Sequence, residues 1–139
     1  MTKLITVVAA ALVNGEGKIL LAQRPEGKSM AGLWEFPGGK LEPGETPEIA
    51  LARELNEELD LTASPKDFRP LTFASHCYET FHLLMPLFLL EKWIGSPHPV
   101  EGQSLAWVAP GDLHKYPAPA ADEPLFDALV NHFGDLGRG

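Results

Sequence analysis

From Leu4 to Val13 the chain is apolar at almost every position (LITVVAAALV), and a shorter apolar run follows at Ile19–Ala22. Asn14-Gly15-Glu16-Gly17 supplies turn residues between them, so the pattern predicts a hairpin over about residues 3–23. The Gly/Pro-rich stretch from Pro25 to Gly39 reads as a loop. From Thr46 to about Leu59 the period becomes helical, with Leu51, Leu55 and Leu59 on one stripe. Thr46 suits the N-cap, Pro47 the first helical position, and Glu48 the positive end of the helix dipole. Leu71–Tyr78 and Phe81–Trp93 predict two strands, and Pro86 marks the second as an edge strand or a bulge. Leu105–Val108 predicts a further strand. Glu123–Phe133 predicts a last helix, after the Pro/Ala-rich segment Tyr116–Ala121. Strands on both sides of a central helix, with a second helix closing the chain, predict an α/β (α+β) fold. Its mixed sheet packs between helices in one domain over residues 1–139.

Composition narrows the function. The 139 residues are 45% hydrophobic, enough for one sizeable core. Eleven Lys and Arg stand against 19 Asp and Glu, a formal charge of −8. Nucleic-acid binding through phosphates needs a basic face, so a nucleic-acid partner is not expected. Leu4–Val13 is too short to span a bilayer, which takes ~20 residues, and no small-residue cleavage site follows it. Neither a membrane nor secretion is therefore expected. The single cysteine, Cys77, excludes an internal disulfide framework and a cysteine-rich zinc site. It reads as a small buried hydrophobe and fits a reducing compartment, so the expected location is cytoplasmic. His76, His82, His98, His114 and His132 lack zinc-site spacing, Gly15-x-Gly17-Lys18 lacks phosphate-loop spacing, and Trp34, Trp93 and Trp107 read as packing residues.

The informative segment is Gly38–Leu61, GGKLEPGETPEIALARELNEELDL. Offsets of three and four bring Glu54, Glu57 and Glu58 together on one helix face. Three clustered carboxylates repel one another unless a cation sits among them, and oxygen ligands suit Mg²⁺ or Mn²⁺. The alternative is a solvated acidic face with an ordinary Arg53–Glu57 pair. The Gly38, Gly39 and Gly44 loop favours the cation, because it lets backbone carbonyls come close. Glu45, just before the N-cap, is placed to brace that loop, and Arg53 to orient Glu57.

The spacing is G-x5-E-x7-R-E-U-x-E-E-x-G-U, where U is a bulky aliphatic. Gly39, Glu45, Arg53, Glu54, Leu55, Glu57, Glu58 and Leu61 fill it. This pattern resembles the Nudix box. Asp60 stands where the family has glycine, at a helix end where a left-handed residue is common and which Asp tolerates. Gln23–Pro25, Leu33–Lys40, Glu101–Gln103 and the residues around Asp122 extend the resemblance to MutT-type nucleoside triphosphate pyrophosphohydrolases, over about residues 4–130.

The resemblance implies the family's mixed sheet between helices. It also implies hydrolysis of a small-molecule nucleoside triphosphate to the monophosphate and pyrophosphate. Glu54, Glu57, Glu58 and Glu101, with the Gly38 carbonyl, would hold Mg²⁺, or Mn²⁺ in its place. Glu54 and Glu101 are the two candidates for general base. Arg53, Glu45 and Gly39 would orient the cluster. Arg24 would contact phosphate, Phe36 and Tyr78 would flank the base, and Asp122 would meet its edge. The best-known family member that cleans 8-oxo-dGTP carries asparagine at the position of Asp122. Members with aspartate there include ones acting on cytidine nucleotides and others with broad specificity for oxidised purines. Oxidised guanine nucleotide is thus the first expected substrate and a cytidine-type nucleotide the second. Another nucleoside diphosphate derivative ranks lower, and so does a binding module without catalysis, because all four glutamates are retained. The expected state is a monomer.

Overall fold

The computed structural model describes residues 3–27 and 30–134. Strand β1 (Lys3–Leu12) is apolar at every position from Val7 to its end, because from Val8 onward it is buried on both faces. Val8, Ala10 and Leu12 join one core, and Ala9, Ala11 and Val13 join the other. Strands buried on both sides read as continuous apolar runs rather than alternations. β1 lies inside a four-stranded sheet of order β4-β1-β6-β5. β6 (Phe81–Leu90) runs parallel to it, from Lys3 opposite Phe81 to Leu12 opposite Leu90. The short β4 (Gly38–Lys40) runs antiparallel along its other side. β5 (Arg69–Cys77) forms the outer edge against β6. A second, antiparallel sheet has the order β3 (Trp34–Glu35), β2 (Ile19–Gln23), β7 (Ser104–Val108).

Helix α1 (Pro47–Leu59) follows β4. Thr46 caps it, its hydroxyl accepting from the Ile49 N–H at 3.3 Å. Leu51, Leu55 and Leu59 are fully buried against Val8, Leu12, Leu20 and Leu90. Asp60 adopts the left-handed conformation (φ 56°, ψ 36°), and its N–H bonds back to the Asn56 and Leu55 carbonyls. Asp here does what glycine usually does at a helix end. Helix α2 (Glu123–Gly134) buries Leu125, Phe126 and Leu129 against the opposite face of the large sheet. Among the described residues no helix is long and apolar enough to cross a membrane.

Four expectations need correction. The Asn14–Lys18 turn forms, with Asn14 Oδ1 accepting from the Glu16 and Lys18 N–H groups. The strands it joins then part after a single bridge, Val13 opposite Ile19, and enter different sheets. Both edges of β1 are already taken by β4 and β6, so β2 has no place beside it. Pro86 lies in an interior strand, not at an edge, and the bulge of this pair is in β5 between Pro70 and Thr72. The β1–β6 pairing is interrupted at Val7 and Val8, opposite Met85 and Pro86, where proline has no N–H to give. The stretch Pro25–Gly39 contains β3 and the start of β4, which are too short to leave a periodic signal; Lys28 and Ser29 within it lie outside the described residues. Cys77 is exposed rather than buried, at the end of the edge strand β5.

Candidate active site

Two neighbouring glycines set the geometry where β4 meets α1. Gly38 (φ 157°) runs so close to β1 that a Cβ there would strike the Val8 carbonyl. A Cβ on Gly39 would instead meet the Glu54 carboxylate. The first glycine makes the strand pairing possible, and the second makes room for an acid of α1. The Gly38 N–H also donates to the Glu58 carboxylate.

Arg53 organises the side of α1 that faces this strand. Its Nε and Nη2 donate to the two carboxylate oxygens of Glu45 at 2.8 and 2.9 Å. Nη1 reaches Glu54 at 3.0 Å and Glu57 at 3.4 Å, and Nη2 also reaches the Lys40 carbonyl at 3.4 Å. The bidentate bond from Arg53 holds Glu45 below the usual carboxylate range. Glu45 in turn accepts from the Glu42 N–H at 3.2 Å, which fixes the turn before the helix.

Glu58 is the acid turned inward. Burial raises its pKa well above the usual carboxylate range. A hydrogen bond shared with Glu54 and the negative charges of Glu54 and Glu101 add to the rise, and the Gly38 N–H opposes it. Three carboxylates thus crowd one spot. Among the described residues, no three acidic, histidine or cysteine side chains already form an ion cage. The donor set nevertheless suits a hard divalent cation, being all oxygen, and such a cation would relieve the repulsion among Glu54, Glu58 and Glu101 that adds to the rise at Glu58.

The cluster opens into a cleft of ≈ 240 Å³, walled by Arg24, Glu35, Phe36, Gly38, Glu58, Glu101 and Gln103 among others. A second hollow of ≈ 220 Å³ adjoins it, sharing Arg24, Glu35, Phe36 and Gly38 and ending at Lys40, Met85 and Asp122. Arg24 forms an ion pair with Glu35 at 3.1 Å in the shared wall. Phe36 packs edge-on against Phe126, with ring centroids 5.5 Å apart, so it joins the core and both hollows at once. Asp122 is only 4% exposed. Burial first, then the charges of Glu35 and Glu123, pushes its pKa up to about 7, against the pull of a hydrogen bond from the Phe36 N–H. The site is therefore a pair of adjoining hollows, with a carboxylate cluster beside one and a buried acid of raised pKa in the other.

A family model described as the NUDIX domain matches residues 8–128, and the acid-bearing helix, the first cleft and all of the second hollow's lining but Val7 fall within that span. The chain belongs to the Nudix family. It is 42% identical to the CTP pyrophosphohydrolase of Escherichia coli over 130 residues, covering 92% of this chain and 93% of the relative. It is 39% identical to the 8-oxo-dGTP diphosphatase of Haemophilus influenzae over 139 residues, covering 94% and 96%. A solved structure of MutT, described for Aliivibrio salmonicida and Vibrio cholerae, superposes with a TM-score of 0.80 at 34% identity, covering 94% of this chain and all of that one. Nudix hydrolases generally depend on a divalent metal, and those that hydrolyse nucleotides act on small-molecule substrates.

Within this Nudix domain the structure gathers Gly38, Gly39, Glu45, Arg53, Glu54, Glu57, Glu58 and Glu101 around the carboxylate cluster, and Gly38, Glu58 and Glu101 line the first cleft. Glu57 points outward, with 58% of its side chain exposed. Arg24 and Phe36 line both hollows, and Asp122 closes the second. Tyr78 lines neither. It stacks on Phe81 at 5.0 Å and meets His76 at 4.6 Å, beside the β5–β6 turn. Sequence reasoning missed Glu35, Met85 and Gln103. Glu35 and Gln103 sit inside segments that carry the family resemblance, beside Phe36 and two residues from Glu101. Met85 gave no signal, because its apolar side chain in a strand reads as core.

Proposed function

We propose that the chain is a Mg²⁺-dependent nucleoside triphosphate pyrophosphohydrolase, with Mn²⁺ able to substitute, that acts on oxidised guanine nucleotide such as 8-oxo-dGTP. The observation that carries this reading is the pair of adjoining hollows: one beside an acidic cluster suited to a cation, and a base-sized one ending at Asp122, with Arg24 in the wall they share. Glu54, Glu57, Glu58, Glu101 and the Gly38 carbonyl would hold the cation. When bound, it would neutralise phosphate charge and lower the pKa of a water. Glu54 or Glu101 takes the proton from the attacking water, because each is an acid of the cluster that can accept one. Arg53 and Glu45 keep Glu54 and Glu57 from collapsing onto other partners. Arg24 meets the phosphates, Phe36 presents a ring to the base, and Asp122 bonds its edge. Half-protonated near neutrality, Asp122 can both donate and accept, which an ionised carboxylate cannot. That matches the donor–acceptor edge of an oxidised guanine. The charged form, an acceptor only, favours the exocyclic amine of cytosine. Together with the 42% identity to a CTP pyrophosphohydrolase, this makes a cytidine nucleotide the second reading. The remaining proposals are a single domain, a monomer, a cytoplasmic location, and no nucleic-acid or membrane partner.

The test is kcat/KM for pyrophosphate release with Mg²⁺ across 8-oxo-dGTP, dGTP, CTP, dCTP and 5-methyl-dCTP. Preference for 8-oxo-dGTP supports the first reading, and preference for the cytidine set supports the second. Glu57→Gln is expected to remove most turnover and leave the fold intact; near wild-type turnover would overturn the metal assignment.

A further inference from the structure

The segment between β6 and β7 carries Glu101, and its attachment to α1 is defined bond by bond. The His98 N–H donates to the Leu59 carbonyl at 2.9 Å, and the Val100 N–H to the Glu58 carbonyl at 3.2 Å. These carbonyls belong to the last turn of α1, where helical partners run out. Gly102 (φ 75°) closes the turn, its N–H donating to the Pro99 carbonyl at 3.0 Å. One side chain completes the join. Gln103 Nε2 donates to the same Glu58 carbonyl at 3.3 Å, and Gln103 Oε1 accepts from the Glu101 N–H at 2.9 Å. A single amide therefore links the backbone of the residue bearing one cleft carboxylate to the backbone of the residue bearing another. Only an amide side chain offers a donor and an acceptor side by side in this way.

We propose that Gln103 is a positioning residue that sets where Glu101 stands relative to Glu58. The inference rests on the reading of the acidic cluster as the cation site. Without the amide, the segment keeps its two backbone bonds to α1, but Glu101 loses the bond on its own N–H and swings away from Glu58. Gln103→Met keeps the length of the side chain and removes both hydrogen bonds. The expected result is a 10–100-fold loss in Mn²⁺ affinity, measured by calorimetry on the protein without nucleotide, and a similar loss in kcat/KM. In a Glu101→Ala background the same substitution should cost nothing more in either quantity.

Amide exchange in the unaltered protein gives a readout that needs no substitution. The Glu101 N–H should exchange at least about tenfold more slowly than a free amide. Wild-type Mn²⁺ affinity and kcat/KM in Gln103→Met would overturn the proposal. So would losses that add to those of Glu101→Ala, since Gln103 would then act on the substrate itself, and so would an unprotected Glu101 amide. If Gln103→Met fails to fold, Gln103→Asn, which is too short to span both partners, must show the same loss. An unaltered chain that binds no Mn²⁺ and hydrolyses no nucleotide overturns the reading of the site, and this proposal with it. An active chain indifferent to Gln103 overturns this proposal alone.

Discussion

At the scale of single residues, Gly38 and Gly39 are adjacent and yet answer to different constraints. Gly38→Ala drives a Cβ into the Val8 backbone, which cannot yield without opening the β1–β4 pairing. This variant is expected to lose cooperative unfolding, as read by circular dichroism. Gly39→Ala displaces only the end of the Glu54 side chain, so it should fold with a near-normal melting temperature and lose most of its turnover. Equal damage to fold in both variants would show that the distinction is wrong. Asp122 gives a prediction in pH. Its pKa is raised in the fold, from an ordinary 3.8 to about 7, so the folded chain holds a proton that the unfolded chain has released. Stability from this group is fully present below about pH 4 and is lost as pH rises toward 7. Asp122→Asn should therefore stabilise the protein at pH 8, by on the order of 2–4 kcal/mol at most, and the gain should vanish toward pH 4. Urea unfolding at the two pH values checks this, and a pH-independent difference would remove the buried acid from the account.

At the scale of elements, α1 was the most legible part of the chain. Its stripe, its Thr46 cap, its Pro47 start and the left-handed Asp60 are all local devices, written in neighbouring residues. The same locality made the acidic face visible. Asp60 still carries a cost, since a side chain in the left-handed region is less comfortable than glycine. Asp60→Gly should stabilise by on the order of 0.5 kcal/mol, part of the relief being offset by the greater freedom of glycine in the unfolded chain. A lower urea midpoint would contradict it. What sequence pattern could not carry was the partner of each strand. The turn at Asn14–Lys18 promised a hairpin and delivered only the bend, because pairing depends on which strands already flank β1. β3 and β4 are two and three residues long and exist through the sheets they join. Cys77 looked like a core residue by type, but its position on an edge strand left it in solvent. Gln103 escaped for a related reason: its role is a bridge between a helix end and a distant segment.

At the scale of the whole molecule, a chain of net charge −8 gathers Glu54, Glu58 and Glu101 at one place. Their mutual repulsion is a standing cost to the fold, so a divalent cation should stabilise the protein even without nucleotide. Binding to the folded state alone adds ~2.7 kcal/mol at a hundred times Kd. Adding Mg²⁺ or Mn²⁺ should raise the melting temperature, a chelator should reverse the rise, and Glu58→Gln should blunt it. A melting temperature indifferent to both ions would count against a cation site. The central place of β1 has a further consequence, for how the protein is made. Residues 3–12 leave the ribosome well before residues 81–90, which are their parallel partner. Parallel pairing between segments so far apart is slow to form. Until β6 arrives, a strand destined for burial on both faces has an open edge, and it lacks the cover that α2 gives to one of those faces. Nascent chains halted before Phe81 should be sticky and protease-sensitive, and those extended past α2 should not. Folding of this domain is thus tied to its own synthesis, and its first strand is the one most in need of a chaperone.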